Sequence, residues 1–173
     1  MSEFSASYHL KAGDREEAIA LIRNAGHQGY VYPEQNGWVT FVVRGDVFEV
    51  NEEIIAANTG LLVYYIYAED HGWGMRIFQK NEPVFEYSAD WNEELRIEKP
   101  TYDLELIRKL IGEQGNSDEG IEALFETDEE EMFGLDEPPA YTIAESLGLT
   151  YFAWVSADYL ENDGVDPSIA EVE

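Results

Sequence analysis

Eight consecutive apolar or aromatic residues, Leu61–Ala68 (LLVYYIYA), constrain the fold of this chain more than any other feature. The run is rich in β-branched and aromatic residues, which favour strands. A strand that is apolar at both odd and even positions must be covered on both faces. The sequence therefore predicts a strand in the middle of a sheet, with a layer of structure packed on each side.

The segments around this run predict alternating strands and helices. Asp14 precedes a helical pattern and can cap its free amides. Asn36-Gly37 is a typical hairpin turn, and Asn51 is a candidate cap for a second helix. After the central run, two shorter alternating segments predict strands at residues 73–80 and 84–87.

The resulting order is β-α-β-β-α-β followed by an extra hairpin. We therefore predict an α+β fold with a mostly antiparallel sheet of about six strands in ferredoxin-like order. Helices of such a unit cover one face of its sheet, so the C-terminal part must cover the other. Helical spacing predicts C-terminal helices over residues 101–111, 117–125, 140–147 and 151–160.

A single domain is expected over residues 1–173, because a chain of this length buries a sizeable core. Within it we predict a sheet core over 1–98 and an acidic, mainly helical part over 99–173. Residues 88–100 are interpreted as an irregular connector, and 166–173 as a loose tail.

Charge divides the chain into two unequal parts. The formal net charge is −27. Up to Lys109 there are ten bases and 19 acids, a net −9, whereas from Leu110 onward there are 18 acids and no Lys or Arg. Such a field disfavours nucleic acid and anionic membranes and favours cationic partners. A solubilising surface and salt adaptation are the alternative explanations.

Composition excludes several classes of chemistry. The absence of cysteine excludes disulfides, thiol catalysis and zinc–thiolate sites. The first residues lack the pattern of a signal peptide and no apolar run reaches about 20 residues, so we expect a cytoplasmic protein without a membrane span. Phosphate-binding, hydrolase and metalloprotease motifs are missing, and no cofactor or metal is indicated.

The turn after the central strand is the first candidate site. Glu69, Asp70, His71 and Trp73 offer two carboxylates, an imidazole and an indole beside glycines that allow close approach of a ligand. These residues are the candidate ligand-binding or catalytic group. The alternative is a purely conformational turn, since turns between strands are commonly polar and glycine-containing.

The second candidate is an acidic run with an embedded aromatic residue. An acidic segment can steer towards a basic groove while a phenylalanine supplies buried area. A solvated loop whose apolar residues pack on the domain is the alternative, and the run does not match a calcium loop. The candidate interaction residues are Asp128, Glu129, Glu130, Glu131 and Phe133.

Three functional hypotheses follow. The first is a non-enzymatic acidic binding protein, such as an inhibitor, immunity-type or regulatory protein, that engages a cationic protein; a DNA mimic is its narrower form. The second is a small-molecule-binding or enzymatic domain that uses the turn at 69–74. The third is an assembly module that self-associates through strand edges, so a homo-oligomer is possible. The charge division favours the first.

Overall fold

The computed structural model describes residues 3–45, 50–91, 93–126 and 137–173, and forms a mixed α+β fold. Within these ranges, one antiparallel sheet contains eight strands. The strands are β1 Phe4–Lys11, β2 Gly29–Val31, β3 Trp38–Val43, β4 Leu61–Ala68, β5 Gly72–Gln79, β6 Glu82–Asp90, β7 Arg96–Thr101 and β8 Ala170–Val172. The helices within the described ranges are α1 Arg15–Asn24, α2 Glu52–Ala57, α3 Leu104–Glu113, α4 Ile121–Glu126, α5 Pro139–Ser146 and α6 Ala157–Asp163.

Strand order places β4 where its sequence predicts it. The order is β7-β6-β5-β4-β1-β3-β2-β8, so β4 lies between β5 and β1, well away from either edge. The α+β class and the antiparallel sheet are confirmed, but the sheet has eight strands, not about six. β7 lies in the predicted connector and β8 in the predicted tail. Both are edge strands, which carry polar residues and lack a clear apolar pattern.

Alternating residues of the central strands separate two cores. Leu62 and Tyr64 face the core formed with α1 and α2, whereas Val63, Tyr65 and Tyr67 face the core formed with α3, α4 and α5. The period of two residues in a strand makes this division inevitable. Both faces of β4 are therefore packed, which explains its continuous apolar sequence.

Predicted helix caps are present at α1 and α2. The Asp14 carboxylate accepts a hydrogen bond from the Glu16 amide at 2.9 Å. The Asn51 side chain accepts from the amides of Glu53 and Ile54, both at 3.0 Å. These bonds satisfy amides that have no partner within the helix.

The last predicted helix begins later than its aromatic sequence suggested. Residues 151–156 are irregular, and α6 starts at Ala157, with the Ser156 hydroxyl accepting from the Tyr159 amide at 3.2 Å. Val155, Ala157 and Leu160 pack on Tyr30 and Val42 from β2 and β3. Serine is a strong cap residue, and it overrides the apolar pattern that precedes it.

Candidate functional site

The start of β1 carries a buried polar stripe that binds the C-terminal layer. Glu3, Ser5, Ser7 and His9 alternate along the strand and all are buried. β3 pairs with β1 only from Tyr8 onward. Before that point the chain near residue 155 takes its place, since the Ala6 amide donates to the Val155 carbonyl at 2.9 Å.

Glu3 is the centre of these contacts. Its side chain accepts hydrogen bonds from the Ser5 hydroxyl at 2.5 Å, from the Trp154 amide at 2.7 Å and from the Tyr141 hydroxyl. The Ser5 hydroxyl in turn accepts from the Val155 amide at 3.1 Å. A buried carboxylate needs such donors, because an unpaired one would be strongly destabilising. Glu3 therefore fixes residues 154–155 to the sheet.

The predicted turn lies directly beside Glu3. The Glu69 amide donates to the Glu3 carbonyl at 2.9 Å, and the Glu69 carbonyl accepts from the Trp91 indole at 2.9 Å. Glu69, Asp70 and His71 are all exposed. These bonds hold the backbone of the turn while the three side chains face solvent.

Trp73 lies apart from the other three predicted residues. Its indole is 4% exposed and packs between the rings of Tyr87 and Phe125, with centroids at 5.0 and 6.0 Å. β5 begins at Gly72, so Trp73 is already a strand residue and points into the core. His71 lies in the turn before β5 and is exposed, whereas Trp73 lies within the strand and is buried, so their spacing of two residues does not bring the indole and the imidazole together in the core.

A concave surface lies on the face of the sheet that carries α1 and α2, in the part that these helices leave uncovered. A cavity of about 400 Å³ borders the turn and includes His71 and Phe4, whose rings are 5.8 Å apart. A second cavity of about 650 Å³ shares Ile66 and Gly74 with it. The cavities are floored by small and apolar residues, so they suit the apolar part of a ligand.

Acidic side chains at this end of the molecule act on neighbouring phenols. Burial, followed by the charges of Glu3, Glu69 and Asp70, raises the pKa of Tyr67 to about 12. Burial and the hydrogen bond to Glu3 likewise raise the pKa of Tyr141. Both phenols therefore stay protonated at ordinary pH. The carboxylates of Glu3, Glu69 and Asp70 form one acidic region beside Tyr67.

Trp154 is a residue of this region that sequence reasoning missed. Its side chain is 45% exposed, and its backbone has a φ of 56°, in the left-handed region that bulky residues avoid. Such a conformation costs about 1–3 kcal/mol. The indole lies 5.7 Å from the Tyr159 ring, whose hydroxyl accepts from the Phe4 amide at 2.8 Å. The nearby cap residue Ser156 was the available signal that this segment is a loop.

His9 is buried and linked to two hydroxyls. Its Nε2 lies 2.9 Å from the Ser7 hydroxyl and its Nδ1 lies 2.8 Å from the Thr40 hydroxyl. Burial lowers the pKa of His9 to about 3, so the imidazole is neutral in the folded protein. The group has no exposure, and we assign it a structural role.

Metal ligands and membrane-spanning helices were sought within the described ranges. Within them no three His, Cys, Asp or Glu side chains are grouped so as to hold a metal ion. Across the same ranges no helix is long and apolar enough to cross a membrane. The predicted interaction residues Asp128, Glu129, Glu130, Glu131 and Phe133 lie outside the described residues.

Comparison of the chain with protein-family models, curated proteins and solved structures returned no match.

Proposed function

We propose that this chain is a non-enzymatic binding protein whose acidic C-terminal part engages a cationic protein. The charge division carries the proposal: 18 acids and no Lys or Arg occur from Leu110 onward. Folding does not require such a division, because a solvated surface can mix both signs of charge. A concentrated negative field attracts cationic partners and increases their association rate.

Bases of the first part offset only some of these acids. The ion pairs between early bases and late acids are exposed, and each contributes at most about 1 kcal/mol to stability. Within the described ranges, exposed late acids such as Glu119, Asp158 and Asp163 lie outside these pairs, which supports the proposal. Within the described residues, the pairs that join the two parts are Lys11–Glu113, Lys99–Glu126, Arg44 with Glu161 and Glu171, and Arg108 with Asp118 and Glu122.

Two variants with equal charge change test the proposal. One neutralises four exposed late acids and the other four exposed early acids. We expect capture of a partner from lysate at low salt, loss of capture at about 0.5 M salt, and weaker binding of the purified partner by the late-acid variant alone. The late set is Glu119→Gln, Asp158→Asn, Asp163→Asn and Glu173→Gln; the early set is Glu16→Gln, Glu17→Gln, Glu52→Gln and Glu82→Gln.

Capture that ignores salt, or equal weakening by both variants, would contradict a specific role for the late acids. Competition by DNA for the purified partner would favour the narrower DNA-mimic form. Failure of DNA to compete would count against that form while leaving the proposal intact.

The cavity beside His71 supports a second candidate function, binding of a small apolar molecule at the 69–74 turn. Its volume of about 400 Å³ suits a small ligand. A thermal-shift screen of a compound library tests this candidate. We expect any stabilising compound to lose its effect in the Asp70→Ala/His71→Ala variant; an unchanged shift would contradict a site at the turn.

We also propose that β1–β4 with α1 and α2 form a ferredoxin-like unit, to which the other strands add at both sides. The strand order β4-β1-β3-β2 and the antiparallel pairing of each neighbour support this interpretation. The frame hosts many unrelated functions and so adds nothing to the choice between the two candidates.

A further inference from the structure

Trp154 combines exposure with an unfavourable backbone, a combination that folding does not explain. Within the described ranges the exposed large apolar residues are Trp154 and Val165, at 45% and 39%. Glycine or asparagine would adopt the left-handed conformation at lower cost. Packing accounts for Trp38 and Trp73, which are buried, but it gains little from an indole that faces solvent.

The position of Trp154 is fixed from three sides. Its amide donates to the Glu3 carboxylate at 2.7 Å, and the carbonyl of Val155 accepts from the Ala6 amide at 2.9 Å. The Tyr159 ring lies beside the indole, at 5.7 Å between centroids. The backbone that carries the indole is therefore held in place before a partner binds, which lowers the cost of association.

Exposed carboxylates lie on the segments that are joined to Trp154 through Glu3 and Tyr159. Glu3 links it to the β4–β5 turn, since the Glu3 carboxylate accepts from the Trp154 amide and the Glu3 carbonyl accepts from the Glu69 amide at 2.9 Å. Glu69 and Asp70 are exposed on that turn, and Asp158 is exposed immediately before Tyr159. We name Trp154, Tyr159, Glu69, Asp70 and Asp158 the Trp154 surface.

We propose that the Trp154 surface binds an arginine side chain of the protein partner, with the cation over the indole face. Indole is the aromatic ring that attracts cations most strongly, and arginine is the more frequent cation in such contacts. The carboxylates steer the cation and exclude anionic groups. This inference rests on the proposed function and adds to it the anchor residue and the chemistry that this residue recognises.

Titration with a short peptide of alternating arginine and glycine at low salt tests the inference. We expect Trp154→Leu to weaken binding by about threefold to thirtyfold, because leucine keeps an apolar side chain but has no π face. Trp154→Phe should weaken it less. Val165→Ala, which alters the other exposed apolar residue, is the matched control and should bind as the unaltered protein does.

Fluorescence gives an independent readout of the same titration. The emission of the exposed indole should change when the peptide binds, and this change should disappear in Trp154→Leu. Circular dichroism checks that each variant is folded. Because no charge is altered, the dependence of affinity on salt should be the same in all three variants.

The outcomes separate this inference from the proposed function. If Trp154→Leu binds the peptide with unchanged affinity while the late-acid variant binds weakly, the anchor is wrong and the acidic binding function stands. If Val165→Ala weakens binding as much as Trp154→Leu does, the contact is not specific to the indole and the inference fails. If the unaltered protein does not bind the peptide at low salt, the inference fails, and capture of a protein partner by the unaltered protein still decides the proposed function separately.

Discussion

At the scale of single residues, the polar face of β1 is the least ordinary part of the core. Ser7 and His9 lie on a strand near the middle of the sheet, where apolar residues are expected, yet both are fully buried. Their mutual hydrogen bond and the Thr40 hydroxyl satisfy the imidazole. A satisfied network of this kind is stable only while the imidazole remains neutral.

His9 therefore makes stability depend on pH. The folded-state pKa is about 3, below the ordinary value of 6.5, so the unfolded chain binds one more proton between these values. The free energy of unfolding should fall as pH is lowered from about 6.5 towards 3, by on the order of a few kcal/mol from this group. Urea unfolding at a series of pH values measures the slope.

His9→Gln should reduce this slope, since it removes the titrating group while keeping polar atoms near Ser7 and Thr40. His71→Gln, which removes an exposed imidazole, is the matched control. Equal slopes for His9→Gln and the unaltered protein would show that burial of His9 does not determine the pH dependence.

At the scale of elements, the close approach of β5 and β6 depends on glycine. A Cβ atom on Gly72 would lie 2.3 Å from the Ala89 carbonyl oxygen, and backbone atoms cannot move aside easily. We expect Gly72→Ala to destabilise the protein by about 1–3 kcal/mol. Urea unfolding measures the loss.

Gly13→Ala is the control for this substitution, because nothing lies within 4 Å of a Cβ atom at Gly13. It should be neutral or slightly stabilising, since alanine reduces the freedom of the unfolded chain. A Gly72→Ala protein as stable as Gly13→Ala would contradict the close approach of the two strands.

Elements with strong local signals could be predicted from sequence, and elements fixed by distant partners could not. Asp14 and Asn51 are recognisable caps, and Leu61–Ala68 is a recognisable central strand. β7 has the sequence RIEKPT, which suits a solvent-facing edge and resembles a connector. β8 is a strand because it pairs with the edge of β2, and no residue within Ala170–Val172 indicates that pairing in the sequence.

The candidate site was predictable only in part for the same reason. The exposed turn at Glu69 and Asp70 follows from its polar and glycine-rich sequence. Trp154 is 85 positions from Glu69 in the chain. It is held in the same region because its amide donates to the Glu3 carboxylate. A buried carboxylate that joins two loops leaves no periodic signal in a sequence.

At the scale of the whole molecule, electrostatic repulsion opposes folding. A net charge of −27 is distributed over a chain of 173 residues, and the exposed ion pairs offset little of it. Salt screens repulsion between exposed charges over about 10 Å at 0.1 M. The compact state should therefore gain stability from added salt.

We expect the Tm to rise by several degrees between low salt and about 0.5 M NaCl, since each 1 kcal/mol corresponds to about 2–4 °C for a chain of this size. Differential scanning calorimetry measures the shift. KCl should act like NaCl if screening is the cause. A Tm that is constant or falls with salt would show that the ion pairs outweigh the repulsion.

The pairing of the start of β1 with residues 154–155 has a consequence for biosynthesis. Ser5 and Val155 are separated by 150 positions, and a ribosome adds about 5–20 residues per second. On the order of ten seconds therefore pass between the synthesis of this central strand and that of its last neighbour. Until then the start of β1, before Tyr8, lacks its neighbour on one side, so the nascent chain completes the centre of its sheet among its final steps.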